Sequence, residues 1–283
     1  MYSSDIDVIT KMAEKKARNA NEKTGKYVIW FHADGTSPYS SDSSSNYAKA
    51  KAGIAIADNV NGPYKLLGSY MLAYTTGAIL YPKYPEVSKV IIAATFCFAI
   101  ALIVFLSGEL FTGNNFVMAV GLFKGKVSVS STLKVWIYTF LGNAVGLIIF
   151  AYLFIKSGAS FTPIQHYIES VAYAKLELPA YQMFLRGLLC NFIVCLAYLS
   201  GIKMKSESGK LIMMFFSVFA FIIAGFEHSI ANVGVFSIAY FALGGLPMAL
   251  VFKNLFFVVL GNIIGGGLLL GGSLVYISTD EEH

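Results

Sequence analysis

Glu109, Glu227 and His228 are ionisable residues set among apolar neighbours, where a charge is costly. They fall in two polar interruptions that read as copies: Ser107-Gly108-Glu109-Leu110-Phe111-Thr112-Gly113-Asn114-Asn115 and Ala224-Gly225-Phe226-Glu227-His228-Ser229-Ile230-Ala231-Asn232. The runs around them, residues 87–120 and 211–240, would reach roughly 45–50 Å as straight helices, against a hydrocarbon core of about 30 Å. Polar breaks at that depth survive only where they are buried in protein or line a cavity. Two interrupted helices that build a pore or a binding site are therefore predicted.

His228 is the only histidine inside an apolar block. A buried histidine bonded to a neighbouring helix is the bland reading. Intramembrane ionisable groups are costly and usually functional, which favours contact with a permeating species. With an ordinary pKa of about 6.5, the ring is expected to titrate and to make flux depend on pH. A lone histidine also argues against a haem site, which needs paired axial ligands.

Glu109 and Glu227 occupy matching places. They suit a structural role, accepting backbone N–H groups freed by the breaks, better than cation binding. Asn143 and Asn262 sit in Gly-x-x-x-Gly settings (Gly142 to Gly146, Gly261 to Gly265) and are expected to bond across close helix contacts. For Thr112 and Asn191, lining a pore and simple helix bonding stand equally open. Lys175 reads as a solvated loop lysine whose replacement should spare the fold. Cys97, Cys190 and Cys195 all lie in apolar blocks and read as small core residues. No metal site, cofactor or nucleophile–base pair is expected, and the chain does not read as an enzyme.

The elements that must position these residues are membrane spans. Hydrophobic residues make up 56% and charged residues 13% of the 283 residues, and the mean hydropathy is +0.64. That composition fits a polytopic membrane protein rather than a soluble domain. Six apolar blocks follow in order, at about 64–81, 88–122, 132–155, 183–201, 211–242 and 247–277. Ahead of them lies an N-terminal segment, 1–63, and after them a short tail, 278–283. Within the former, residues 5–26 place Ile6, Ile9, Met12 and Ala13 at helical spacing, as on a membrane-surface helix or a soluble leader. Residues 27–63 read as loop or interfacial. The Lys and Arg distribution, decided by the N-terminal segment, puts both termini on the cytoplasmic side. A formal charge of +5 suits inner-face lysines and calls for no nucleic-acid partner.

Leu141-Gly142-Asn143-Ala144-Val145-Gly146 recurs as Leu260-Gly261-Asn262-Ile263-Ile264-Gly265, and the breaks recur at nearly the same offset. Three spans duplicated end to end give an inverted 3+3 repeat, with the site at the repeat interface.

The two break motifs, together with Asn191-Phe192-Ile193-Val194-Cys195-Leu196-Ala197 and the run from Leu260 to Gly267, resemble the signatures of the formate/nitrite transporter family over about residues 64–277. The resemblance implies an all-α, aquaporin-like six-helix protomer with broken second and fifth spans, assembled as a homopentamer in a bacterial-type inner membrane. It implies transport of small monovalent anions such as formate, nitrite, lactate or hydrosulfide. By position, His228 would be the central pore histidine, Thr112 its partner, Asn191 the neighbouring amide and Lys175 the vestibule lysine. Phe96, Ile100, Leu110 and Phe221 would form apolar constrictions. A polar tract stands where family members run directly into the first span. A proton-coupled symporter is the nearest rival, and an anchor subunit of a redox complex a distant one. Water or glycerol conduction would call for paired Asn-Pro-Ala loops, which the sequence lacks.

Overall fold

The computed structural model describes residues 2–22, 61–105 and 108–280, and every regular element among them is helical. In order these are α1 (Tyr2–Glu22), α2 (Asn61–Leu80), α3 (Pro85–Phe105), α4 (Phe111–Phe123), α5 (Val129–Lys156), α6 (Phe161–Leu176), α7 (Ala180–Lys203), α8 (Glu207–Ile223), α9 (Ser229–Leu243) and α10 (Met248–Ile263). A π-helical stretch, Ile264–Gly272, then leads into α11 (Ser273–Asp280) without a break, so the sixth span is one continuous rod. The tract read as loop or interfacial falls outside the described residues except for 61–63, which open α2.

The second and fifth spans are interrupted where the polar motifs stand: α3 gives way to α4, and α8 to α9. Gly225 closes α8 at φ 72°, a left-handed conformation that glycine enters without a Cβ penalty. The chain then runs extended to His228 (φ −108°, ψ 118°) before α9 begins. In the first break Leu110 holds the same place and the same extended geometry (φ −121°, ψ 128°) ahead of α4. Ser128 and Ser206 cap α5 and α8, accepting from the N–H groups of Ser131 and Gly209 at 3.2 and 3.3 Å.

The α2–α5 and α7–α10 units are the two halves of the repeat, joined by α6. Helix α3 packs on α8, α5 on α9, and α7 on α10. The α7–α10 contact is backbone-close. A Cβ at Gly187 would lie 2.8 Å from the Val258 carbonyl oxygen, and one at Gly261 or Gly265 would enter the backbone of Phe184 or Leu188. The expected small-residue contact therefore holds for the second half. In the first half Gly142 faces open space, while Gly146 of the same motif is buried.

Helix α1 turns its apolar face to the protein. Its apolar stripe (Ile6, Ile9, Ala13, Ala17) is buried on the bundle, against Phe116 and Val117 of α4 and Leu270 and Leu274 beyond α10. The three cysteines are buried and unpaired.

Candidate functional site

The second break carries the densest polar network. Asn262, fully buried, accepts from Ser229 N–H at 2.9 Å and donates to the carbonyls of Gly187 (2.8 Å) and Glu227 (3.1 Å). Asn143 treats the first break the same way, accepting from Phe111 N–H at 3.0 Å and donating to Glu109 O at 3.2 Å. Each asparagine thus satisfies a donor and an acceptor that a broken helix would leave orphaned. The sequence reading gave that duty to Glu109 and Glu227, and the structure transfers it to the amides.

The carboxylates hold lysines instead. Glu227, 3% exposed, takes Lys175 Nζ on Oε1 at 2.9 Å and Asn232 Nδ2 on Oε2 at 2.6 Å. Asn232 also donates to Asn254 Oδ1 (2.8 Å), and Asn254 returns to the Lys175 carbonyl (3.0 Å), closing a ring of bonds. Lys175 is therefore no loose loop lysine: it stands on the last turn of α6 with 19% of its side chain exposed. In the first break Glu109 is paired with Lys16 of α1.

His228 caps α9. Its Nδ1 accepts from Ala231 N–H at 3.1 Å, which leaves the ring proton on Nε2. Nε2 lies 3.0 Å from Thr112 Oγ1 and donates to it across the two breaks. The Thr112 hydroxyl then keeps its own proton for another acceptor. Phe221 stacks on the imidazole, with centroids 6.1 Å apart and planes at 24°. Leu110, 118 residues before His228, is its apolar counterpart in the repeat and makes no side-chain cap.

A cavity of about 520 Å³ opens onto this arrangement on the side away from α1, lined among others by Phe96, Lys175, Arg186, Phe221, Glu227 and His228. Phe96, Phe221 and Leu110 are all buried at the breaks, whereas Ile100 lies on α3 with its side chain outside the described residues. Asn191 does not line this cavity and takes the helix-bonding part of its two readings. Fully buried behind Thr112, it donates to the Thr112 carbonyl (3.2 Å) and the Asn262 carbonyl (2.7 Å), clamping the first break to the end of α10.

Several participants escaped the sequence reading. Lys16 lies outside the repeat, so internal symmetry could not point to it. Asn254 is a polar residue in an apolar run, and that signal was present. Arg186 counted only as a loop charge.

An all-helical inverted repeat whose broken spans meet at a polar cavity is the architecture of a membrane transport protein. The formate/nitrite transporter family model matches residues 62–276. The chain is 38% identical to the uncharacterised transporter YwcJ of Bacillus subtilis over 67% of its length and 75% of that protein's. It is 32% identical to the nitrite transporter NirC of Salmonella typhimurium, covering 82% of this chain and 85% of that one. Among solved structures it is similar to an FNT family ion channel (TM-score 0.78, 28% identity, 97% and 98% coverage). It also shares its fold with a pentameric formate channel with formate bound (TM-score 0.67, 22% identity, 78% and 94% coverage). The chain belongs to the formate/nitrite transporter family and is an integral membrane protein. Its family is one of transporters and channels, not of enzymes.

Proposed function

We propose that this protein is a channel for small monovalent anions of the formate, nitrite and hydrosulfide class. It works as a homopentamer in a bacterial-type inner membrane, with both termini cytoplasmic and the cavity facing outward. The observation that carries the reading is the charge of that cavity. Lys89, Lys175 and Arg186 line it, and among the described residues its only carboxylate is Glu227, already engaged by Lys175. The surplus is positive and draws anions in. The half-helices α4 and α9 both begin at the breaks, so their positive ends face the centre and favour an anion there.

The apolar constrictions are Phe96 and Phe221 on the cavity wall, with Leu110 buried at the first break. A bare ion in such an apolar setting costs of order 20 kcal/mol by idealised Born solvation, so these rings exclude charge unless the breaks compensate it or a proton neutralises it. The Nε2–H tautomer of His228, which its capping bond imposes, makes the ring a hydrogen-bond donor rather than a proton source. Its contribution is to orient the Thr112 hydroxyl toward the permeating anion. Stopped-flow uptake of formate, nitrite, lactate and hydrosulfide into proteoliposomes tests the reading. Uptake driven only by an imposed pH gradient would replace the channel with a proton-coupled symporter, and no uptake of any of the four would remove the reading.

A further inference from the structure

Lys175 is the lysine that the family resemblance implies for the vestibule, yet its ammonium is bound to a buried carboxylate. The charge left for a ligand lies elsewhere. Arg186 lines the same cavity, one of only two arginines in a chain that otherwise uses lysine for its positive charge. Its backbone is fixed to the second break, because its carbonyl accepts Glu227 N–H at 3.3 Å. Its half-buried side chain makes a single hydrogen bond among the described residues, from Nη2 to Gln182 Oε1 at 3.2 Å, one turn back on α7. That bond steadies the guanidinium and, among the described residues, leaves the rest of its N–H donors without a protein partner.

We propose that Arg186 is a specificity-determining residue that selects planar anions with two coplanar oxygens, such as formate and nitrite, over single-centre anions such as hydrosulfide. A guanidinium presents parallel N–H donors in a plane, which match a pair of coplanar oxygens two at a time. A single-centre anion meets only one arm of the fork. An ammonium such as Lys89, also on the cavity wall, is a point charge and does not distinguish the two. Arg186 therefore sorts anions at the mouth, while Lys175 and Glu227 hold the break in shape behind it. The inference rests on the anion-channel reading above and narrows it to a substrate class.

The test compares concentration-dependent uptake of formate, nitrite and hydrosulfide by wild type, Arg186→Lys, Arg186→Gln and Gln182→Ala in proteoliposomes. Arg186→Lys keeps the charge and loses the fork. It is expected to raise the half-saturation concentration for formate and nitrite by about two- to tenfold, the worth of one net hydrogen bond, and to leave that for hydrosulfide unchanged. Arg186→Gln is expected to weaken all three anions, and Gln182→Ala to weaken formate and nitrite only slightly. Equal effects of Arg186→Lys on the three anions, or none on formate and nitrite, would overturn the proposal. An independent measurement needs no flux. In an Arg18→Lys background, Arg186 is the only target for an arginine-selective dicarbonyl reagent, and formate is expected to slow its modification in detergent. Absence of protection sinks the role of Arg186. Protection without any uptake upholds the binding site and sinks the transport reading instead.

Discussion

Glu227 divides its two oxygens between Lys175 and Asn232 while only 3% exposed, so its charge is affordable only with both partners present. Removing one partner of such a pair strands a charge, at a cost of about 3–5 kcal/mol when both are buried. Lys175 keeps 19% of its side chain exposed. Lys175→Gln is therefore expected to destabilise by less, about 1–3 kcal/mol, read as a lower melting temperature in detergent. Adding Glu227→Gln, which removes the stranded charge, is expected to restore much of that loss. A Lys175→Gln protein as stable as wild type would return the lysine to the solvated role its sequence suggested. His228 is bound at both nitrogens, so gaining a proton at Nδ1 would break its cap on Ala231. Asparagine is a good N-cap but reaches less far toward Thr112. His228→Asn is expected to assemble normally and conduct more slowly, with a pH profile parallel to wild type between about pH 5 and 8. A flatter profile in the variant would show that the ring does titrate during transport.

The breaks themselves are held by amides that reach in from other spans, and this makes them rigid elements rather than loose loops. Asn262 holds three backbone groups and Asn143 two. Leucine at either place leaves an N–H and a carbonyl of the break unpaired, at about 1–3 kcal/mol each before relaxation, and at 262 it also loses the tie to the Gly187 carbonyl of α7. Asn262→Leu is accordingly expected to reduce assembled protein more than Asn143→Leu, measured as the yield of oligomer from gel filtration. Equal yields would mean that backbone relaxation closes both breaks without the amides. The breaks were legible because glycine, glutamate and asparagine cannot continue an apolar helix at that depth. The target of each asparagine was not legible: a motif on one helix does not name the backbone it meets on another. The small-residue spacing around Asn143 and Asn262 is the same in sequence, yet Gly261 meets the backbone of Phe184 where Gly142 meets open space.

At the scale of the whole molecule, the inverted repeat sets a lysine–glutamate pair at each break, Lys175 with Glu227 and Lys16 with Glu109, but recruits the two lysines from unrelated places. One comes from the helix that joins the halves, the other from α1, ahead of the repeat. Periodicity revealed the amphipathic face of α1; it could not say whether lipid, water or protein would cover it. The answer is Phe116, Val117 and the end of the sixth span. Docking depends on a close approach in which Gly121 of α4 faces Ala13, leaving no room for a Cβ. Gly121→Ala puts two methyl groups that cannot rotate away into the same space, so α1 must shift. The variant leaves the Asn143 and Asn262 bonds that hold the breaks in place, which separates the position of α1 from their integrity. It is expected to leave the oligomer intact, to free Lys16 from Glu109 and to make α1 more susceptible to limited proteolysis. Cleavage of α1 at the wild-type rate in Gly121→Ala would show that the helix is held by its polar end alone, and that its buried apolar stripe adds little to its place on the bundle.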